Sequence, residues 1–350
     1  DLIINLALTP YSRGVIEKRY EMYRKLAFTK SKDVAYVNHV AGQTDIVYDG
    51  SSAAFNSRGE AVVLLNNFEE DFQIWDTNYE YTPLEIPYQN KTVNVYRAIK
   101  LGLRDYFVKN GFRQACLGLS GGIDSAVVAA LAVEVLGPGN VRVLLMPSQF
   151  SSDHSVEDAV ALAEKLGIEY ETVPITEIYK STIDALAPVF GNTPFGVTEE
   201  NIQARIRGML MMALSNKYGH ILLNTSNKSE CAVGYSTLYG DTAGSISIIG
   251  DLYKSEVYDL ARYINRNGEI IPANTIEKEP SAELRPEQKD TDALPPYDVV
   301  DAILYRMIEE GQHREEIINA GFDADAVYKI YKMVLRNEHK RFQFCPVLRM

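Results

Sequence analysis

A chain of 350 residues, 46% of them hydrophobic, holds apolar material for two packed domains, or two and a fraction. Its 35 Lys and Arg against 47 Asp and Glu leave a formal charge of −12, which argues against a nucleic-acid partner or general attraction to anionic lipid. Three Cys (116, 231 and 345) with no CxxC pair, and no apolar run near the ~18–20 residues of a bilayer span, predict a soluble protein of the reducing cytoplasm without a membrane partner.

In chain order, Leu2-Ile3-Ile4-Asn5-Leu6 is an apolar run suited to a buried strand. It follows Asp1 with no lead-in, which predicts a piece of a longer polypeptide. Ile16, Tyr20, Tyr23, Leu26 and Ala27 recur at helical spacing over 16–28. Residues 34–37 and 61–65 are strand candidates, with turn chemistry at 49–52 and 56–59. Residues 76–91 are rich in Tyr, Pro and polar side chains without period and are expected to link two domains. Beyond about residue 92, helix and strand alternate. Helices are expected at 93–110, 124–136, about 156–166 and about 199–218, and strands at 115–119, 141–146, 170–173 and 221–224. This alternation predicts an α/β fold, a doubly wound parallel sheet with helices on both faces. Ligands of such sheets sit beyond the carboxyl ends of the strands. Residues 272–296 hold five prolines and many charges, the mark of a functional flap or a disordered stretch. The tail over 298–340 returns to helix and closes on a basic run from Lys329 to Arg341.

One segment carries chemistry by itself: Gly118-Leu119-Ser120-Gly121-Gly122-Ile123-Asp124-Ser125, between a predicted strand and a predicted helix. Paired glycines let the backbone turn sharply and aim several N–H groups at one anion. The helix behind them turns its positive dipole end to the same spot. Ser120 and Ser125 add hydroxyl donors, and Asp124 sets a carboxylate beside the phosphate site. A carboxylate there implies a cation in between, most simply Mg²⁺. The Gly-Lys-Ser/Thr ending of the Walker loop is missing, and the GxGxxG spacing does not match. A plain Gly-Gly turn with a helix cap is the competing reading, and the strand–helix setting weighs against it.

The SGGxDS loop resembles the pyrophosphate-binding motif of the N-type ATP pyrophosphatases, which split ATP into AMP and pyrophosphate to activate a carboxylate or carbonyl oxygen. Segments further on are similar to the NAD synthetases among them. Glu200-Asn201-Ile202-Gln203-Ala204-Arg205-Ile206-Arg207 resembles the family's helix motif, which implies that Asn201 and Arg205 contact deamido-NAD. Asn224-Thr225-Ser226-Asn227-Lys228-Ser229-Glu230 implies Thr225 at ATP, and Glu230 on Mg²⁺ and beside deamido-NAD. Tyr235-Ser236-Thr237-Leu238-Tyr239-Gly240-Asp241 resembles the wall of the deamido-NAD pocket, with Tyr235 in contact. Leu238 and Ser245 stand where the short ammonia-dependent enzymes carry Lys and Asp. Lys254 matches a catalytic lysine at the ATP phosphates, and Ser281 in Pro280-Ser281-Ala282-Glu283-Leu284 matches a hydroxyl near ATP. Glu338-His339-Lys340-Arg341 resembles the element that returns to deamido-NAD through His339 and Lys340.

Residues 1–80 resemble the later part of a nitrilase-like glutaminase domain, chiefly at 5–11 and 42–51. The Glu-Lys-Cys triad of that domain belongs upstream of Asp1, so the resemblance implies no glutaminase triad in this chain. The expected division is therefore 1–80, a linker at 81–92 and a synthetase domain at 93–350. The implied activity is amidation of deamido-NAD to NAD with ATP and Mg²⁺, fed by free ammonium here and by glutamine in intact relatives. A homo-oligomer paired through synthetase domains is also implied. Two alternatives stay open: another amidotransferase of the ATP pyrophosphatase class, and a non-catalytic nucleotide-binding fragment.

Overall fold

The computed structural model describes every residue except Glu287, which lies in the Pro-rich segment 272–296. Two compact units emerge, one of Asp1–Gly111 with Leu348–Met350, the other of Phe112–Val347.

The first unit contains β1 (Leu2–Ala7), α1 (Val15–Lys30), β2 (Asp33–Asn38), β3 (Val40–Gln43), β4 (Ile46–Asp49), β5 (Ala53–Phe55), β6 (Ala61–Leu64) and α2 (Lys91–Asn110). Four strands form a sheet in the order β1-β2-β5-β6, and β3 pairs with β4 separately. The β1–β2 pair is parallel and the β2–β5 and β5–β6 pairs are antiparallel. Alternation along β2 sends Val34 and Tyr36 inward, where they meet Ile16, Tyr20 and Tyr23 of α1 in the buried core. Arg19 of α1 enters that core because Asp49 meets it there. Both terminal nitrogens of the guanidinium donate to the carboxylate at 3.0 Å. Helix α2 is capped by Asn90, whose side chain accepts from the Val93 N–H. It packs on β3 and β4, and Asp105 accepts from the Gly42 N–H at 2.8 Å. The boundary between compact units thus falls after Gly111, beyond the linker expected at 81–92.

The second unit alternates strand and helix: β7 (Ala115–Gly118), α3 (Ile123–Leu136), β8 (Val141–Leu145), α4 (Asp153–Leu166), β9 (Glu169–Thr172), α5 (Thr176–Phe190), α6 (Val197–Tyr218), β10 (Ile221–Asn224), α7 (Lys228–Val233), β11 (Ile246–Ser247) and α8 (Lys254–Ile264). The five strands are all parallel, in the order β11-β10-β7-β8-β9. Helix α3 is apolar on nearly every side, and every residue from Ile123 to Ala132, Asp124 excepted, lies at or below 5% exposure. Such a helix is stable only when enclosed. It packs against β7, β8, α4 and α8, while α5 and α6 form a separate pair with α6 on β7 and β10. The doubly wound parallel sheet expected from the alternation is present. Helix α5 had no counterpart in the sequence reading.

Among the described residues of 272–296 are one short helix, α9 (Ala273–Glu277), and a 3₁₀ turn at Asp290–Asp292. The expected helical tail is four helices: α10 (Tyr297–Ile308), α11 (Arg314–Asn319), α12 (Ala324–Arg336) and α13 (Glu338–Arg341). The first three enclose a small core of Val300, Ile303, Leu304, Ile317, Val327 and Ile330 that reaches Val233 of α7 and Tyr253. Among the described residues, no helix is long and apolar enough to cross a membrane. All three cysteines are free thiols, and burial pushes the Cys116 pKa up to about 12.

Candidate functional site

The strand order reverses direction at β7: β8 and β9 follow on one side, β10 and β11 on the other. The loops leaving β7 and β10 therefore face each other across the crevice of the sheet. Leaving β7, the Leu119 N–H still donates to Leu144 O at 3.0 Å, and the chain then turns sharply. Gly121 sits at φ 79°, and a Cβ there would lie 2.1 Å from Ser155 O, so only glycine fits. Ser120 Oγ accepts from the Gly122 N–H at 3.2 Å, and Ser125 Oγ donates to Gly122 O at 3.0 Å. Among the described residues no side chain caps α3, which leaves its first-turn N–H groups for a ligand.

Opposite this loop stands a buried charge cluster. Asn227 caps α7 by accepting from the Glu230 N–H at 3.0 Å, and its amide donates to Asp124 at 2.9 Å. Lys254 opens α8, with its side chain 3% exposed. Its ammonium lies 2.5 Å from Asp124 Oδ2 and 3.3 Å from Glu230 Oε1, over the Tyr297 ring. The Pro-rich segment adds a third carboxylate, Asp290. It accepts from Tyr297 Oη at 3.0 Å and from Tyr235 Oη at 3.2 Å. Burial, reinforced by Asp124 against the pull of Lys254, pushes the Glu230 carboxyl well above its ordinary range. Burial works against the Lys254 charge, yet Asp124 and Glu230 outweigh it and raise that pKa. Burial also raises Asp290 and the Tyr297 hydroxyl.

Two carboxylates thus contact one ammonium and a third stands near enough to feel its charge, a negative surplus suited to a divalent cation. No three metal-ligating side chains among the described residues stand close enough to hold an ion by themselves. Two carboxylates with room for phosphate oxygens and water suit Mg²⁺, which binds in that way. Asp124 and Glu230 are the pair that could hold it.

A cavity of about 350 Å³ opens over these groups. Gly118, Leu119, Ser120, Gly122, Ile123, Asp124 and Ser125 line it, as do Thr225, Glu230, Tyr235, Lys254 and Ser281. Gly121 shapes the loop from behind. Asn201, Arg205, His339 and Lys340 stand outside this lining. Three of them gather on the segment after α7: Asn201 accepts from Thr237 Oγ1 at 2.7 Å, and Arg205 donates to Leu238 O at 3.2 Å. Lys340 donates to Gly234 O and Ser236 O at 2.7 and 2.6 Å. His339 is exposed, with its Nδ1 3.2 Å from Arg336 O. Leu238, the position that departs from the short enzymes, contributes its carbonyl here. Sequence reasoning gave no role to Asp290, Tyr297, Arg207 or the cap Asn227, all at or beside the cavity. Glu283 of the Pro-rich segment accepts from Ser152 and Ser155 Oγ at 2.8 and 2.7 Å and ties that segment to α4.

A parallel sheet with a glycine loop, a helix N-terminus and carboxylates at its switch point defines the class of α/β proteins that bind nucleotide phosphates. Within that class the chain belongs to the NAD synthase family, which residues 95–343 match. It is 47% identical to a glutamine-dependent NAD(+) synthetase of Synechocystis sp., over 100% of this chain and 64% of that protein. The glutamine-dependent NAD+ synthetase of Acinetobacter baumannii, solved in complex with ADP, superposes with a TM-score of 0.77 at 39% identity over 98% of this chain. This chain covers 64% of that structure too. The NH3-dependent NAD synthetase of Campylobacter jejuni superposes with a TM-score of 0.59 at 30% identity, over 72% of this chain and 96% of that one. The chain thus spans less than two thirds of the first two relatives and matches nearly the whole of the third.

Proposed function

We propose that this chain converts deamido-NAD to NAD with ATP and ammonia, releasing AMP and pyrophosphate. The observation that carries the proposal is the Lys254–Asp124–Glu230 cluster facing the Ser120-Gly121-Gly122 turn. A nicotinate carboxylate resists ammonia because its negative charge repels nucleophiles and oxide is a poor leaving group. Attack of a carboxylate oxygen on the α-phosphorus of ATP forms an acyl-adenylate as the bond to the β-phosphate oxygen breaks. Ammonia then adds to the acyl carbon, loses a proton, and expels AMP.

The residues serve these steps by placing charge. The Ser120–Ser125 turn and the start of α3 receive the pyrophosphate, and Lys254 adds compensating positive charge as it leaves. Mg²⁺ held by Asp124 and Glu230 supplies further charge neutralisation when bound. Thr225 and Ser281 contact ATP. Asn201, Arg205, Glu230, Tyr235, His339 and Lys340 bind deamido-NAD around the segment at 234–241. No covalent nucleophile is assigned, since positioning accounts for the acceleration.

The wider assignments belong to the same proposal. Residues 1–80 are the later part of a glutaminase domain, 81–92 a linker and 93–350 the synthetase. Glutamine is the ammonia source of the glutamine-dependent relatives, and the synthetase site takes ammonia as its nucleophile. The synthetase domains pair in a homo-oligomer of the cytoplasm. The match to nearly all of an ammonia-dependent enzyme supports this division. Purified chain supplied with ATP, Mg²⁺, ammonium chloride and deamido-NAD should produce NAD and AMP in equal amounts. Folded protein that yields no NAD would overturn the proposal.

A further inference from the structure

Arg207 lies on α6, two residues beyond Arg205, and therefore points about 200° away from it around the helix. Its Nε donates to Met146 O at 3.0 Å, just past the carboxyl end of β8. Met146 in turn fills the space over Gly118, its methyl 3.2 Å from where a Cβ would stand, so the guanidinium is anchored beside the phosphate loop. Arg207 lines the cavity, yet its terminal nitrogens have neither an ion pair nor a hydrogen bond among the described residues. The acids nearest to it in charge, Glu283 and Asp241, are engaged elsewhere. Glu283 is held by Ser152 and Ser155, and Asp241 accepts from the Thr237 N–H at 2.8 Å. Burial brings the Arg207 pKa down to about 10, and it stays a cation at neutral pH. One turn earlier, Gln203 donates to Leu284 O at 2.8 Å and draws the Pro-rich segment over the same side of the cavity.

An anchored cation without a counter-ion, walled in beside the phosphate loop, calls for an anion from the ligand. The proposed reaction supplies one. The loop 120–125 takes the pyrophosphate, the nucleoside is neutral, and the remaining charge of ATP is on its α-phosphoryl group. We infer that Arg207 is a further substrate-binding and catalytic residue, which grips the non-bridging oxygens of the α-phosphoryl group with the free fork of its guanidinium. This rests on the proposed use of ATP. The fork matches two oxygens of one phosphate, a geometry Lys cannot reproduce. It stays with the same phosphorus as the bond to pyrophosphate breaks and the bond to the carboxylate forms.

AMP and adenosine differ only by that phosphate, so calorimetric titration of the full chain with each isolates the contact. Wild-type chain should bind AMP at least about tenfold more tightly than adenosine. Arg207→Gln should reduce the preference to within about twofold and leave adenosine affinity unchanged, and kcat should fall by about 10²-fold. Arg207→Lys should retain part of the preference, and it decides the matter if the Gln variant does not fold by circular dichroism. An AMP preference unaltered by either folded variant, or absent from the wild type, would overturn the inference. A wild type that prefers AMP but makes no NAD would sink the proposed amidation and spare Arg207.

Discussion

Each compact unit buries charge, and the two do so in opposite ways. In the first, Arg19 and Asp49 meet fork to fork with side chains 3% and 0% exposed, and Ser51 Oγ donates to the same carboxylate. The charges cancel. In the second, Asp124 and Glu230 share one ammonium with Asp290 close enough to feel its charge, and Arg207 has no ion-pair partner among the described residues. Closed pairs fix a core; unbalanced groups wait for a ligand that completes them. Burial alone does not separate the two kinds of site. The charge left over does.

The largest effect should come from the unbalanced site. Asp124→Asn removes charge but can keep the Asn227 contact, so turnover should drop by about 10³-fold while the thermal midpoint stays near the wild-type value. Full activity in that variant would break the contrast. Asp49→Asn should do the reverse. It leaves Arg19 buried without a counter-charge and should cost about 3–5 kcal/mol in urea unfolding of the first unit, with kcat for ammonium unchanged. Gly121→Ala forces a Cβ toward Ser155 O at an αL position, and about 2–3 kcal/mol of strain should appear as a weaker apparent affinity for ATP. The smallest effect belongs to Gln203→Ala. It removes one hydrogen bond to Leu284 O from a side chain whose Oε1 has no partner among the described residues. The loss should be about 1 kcal/mol, read as a rise of a few-fold in the KM for ATP.

Where the candidate site is written in consecutive residues, local pattern was enough to locate the segments that line the cavity. The 118–125 loop needs only its neighbours to form, and Thr225, Glu230 and Lys254 follow strand ends or open helices that local pattern locates. Asp290 was invisible for the opposite reason. It sits in an aperiodic stretch, and only docking against Tyr235 and Tyr297 gives its carboxylate a place. Arg207 was hidden beside Arg205, because nothing local says which of two arginines on a helix faces the sheet. That choice is set by α6 packing on β7 and β10. The same limit governs α2. Its helical pattern was plain, but its allegiance to the first unit depends on contacts such as Gly42 with Asp105, 63 residues apart. Helix α5 carries Pro188 within its last turn and Gly191 behind it, which blurs the periodic signal.

The central claim is that the carboxylate of deamido-NAD is activated by bonding to the α-phosphorus of ATP. Oxygen tracing tests it directly. With deamido-NAD labelled by ¹⁸O in the nicotinate carboxylate, each turnover should leave one labelled oxygen in the phosphate of AMP and none in pyrophosphate, read by mass spectrometry. AMP free of label, or ADP and labelled inorganic phosphate in its place, would contradict the account.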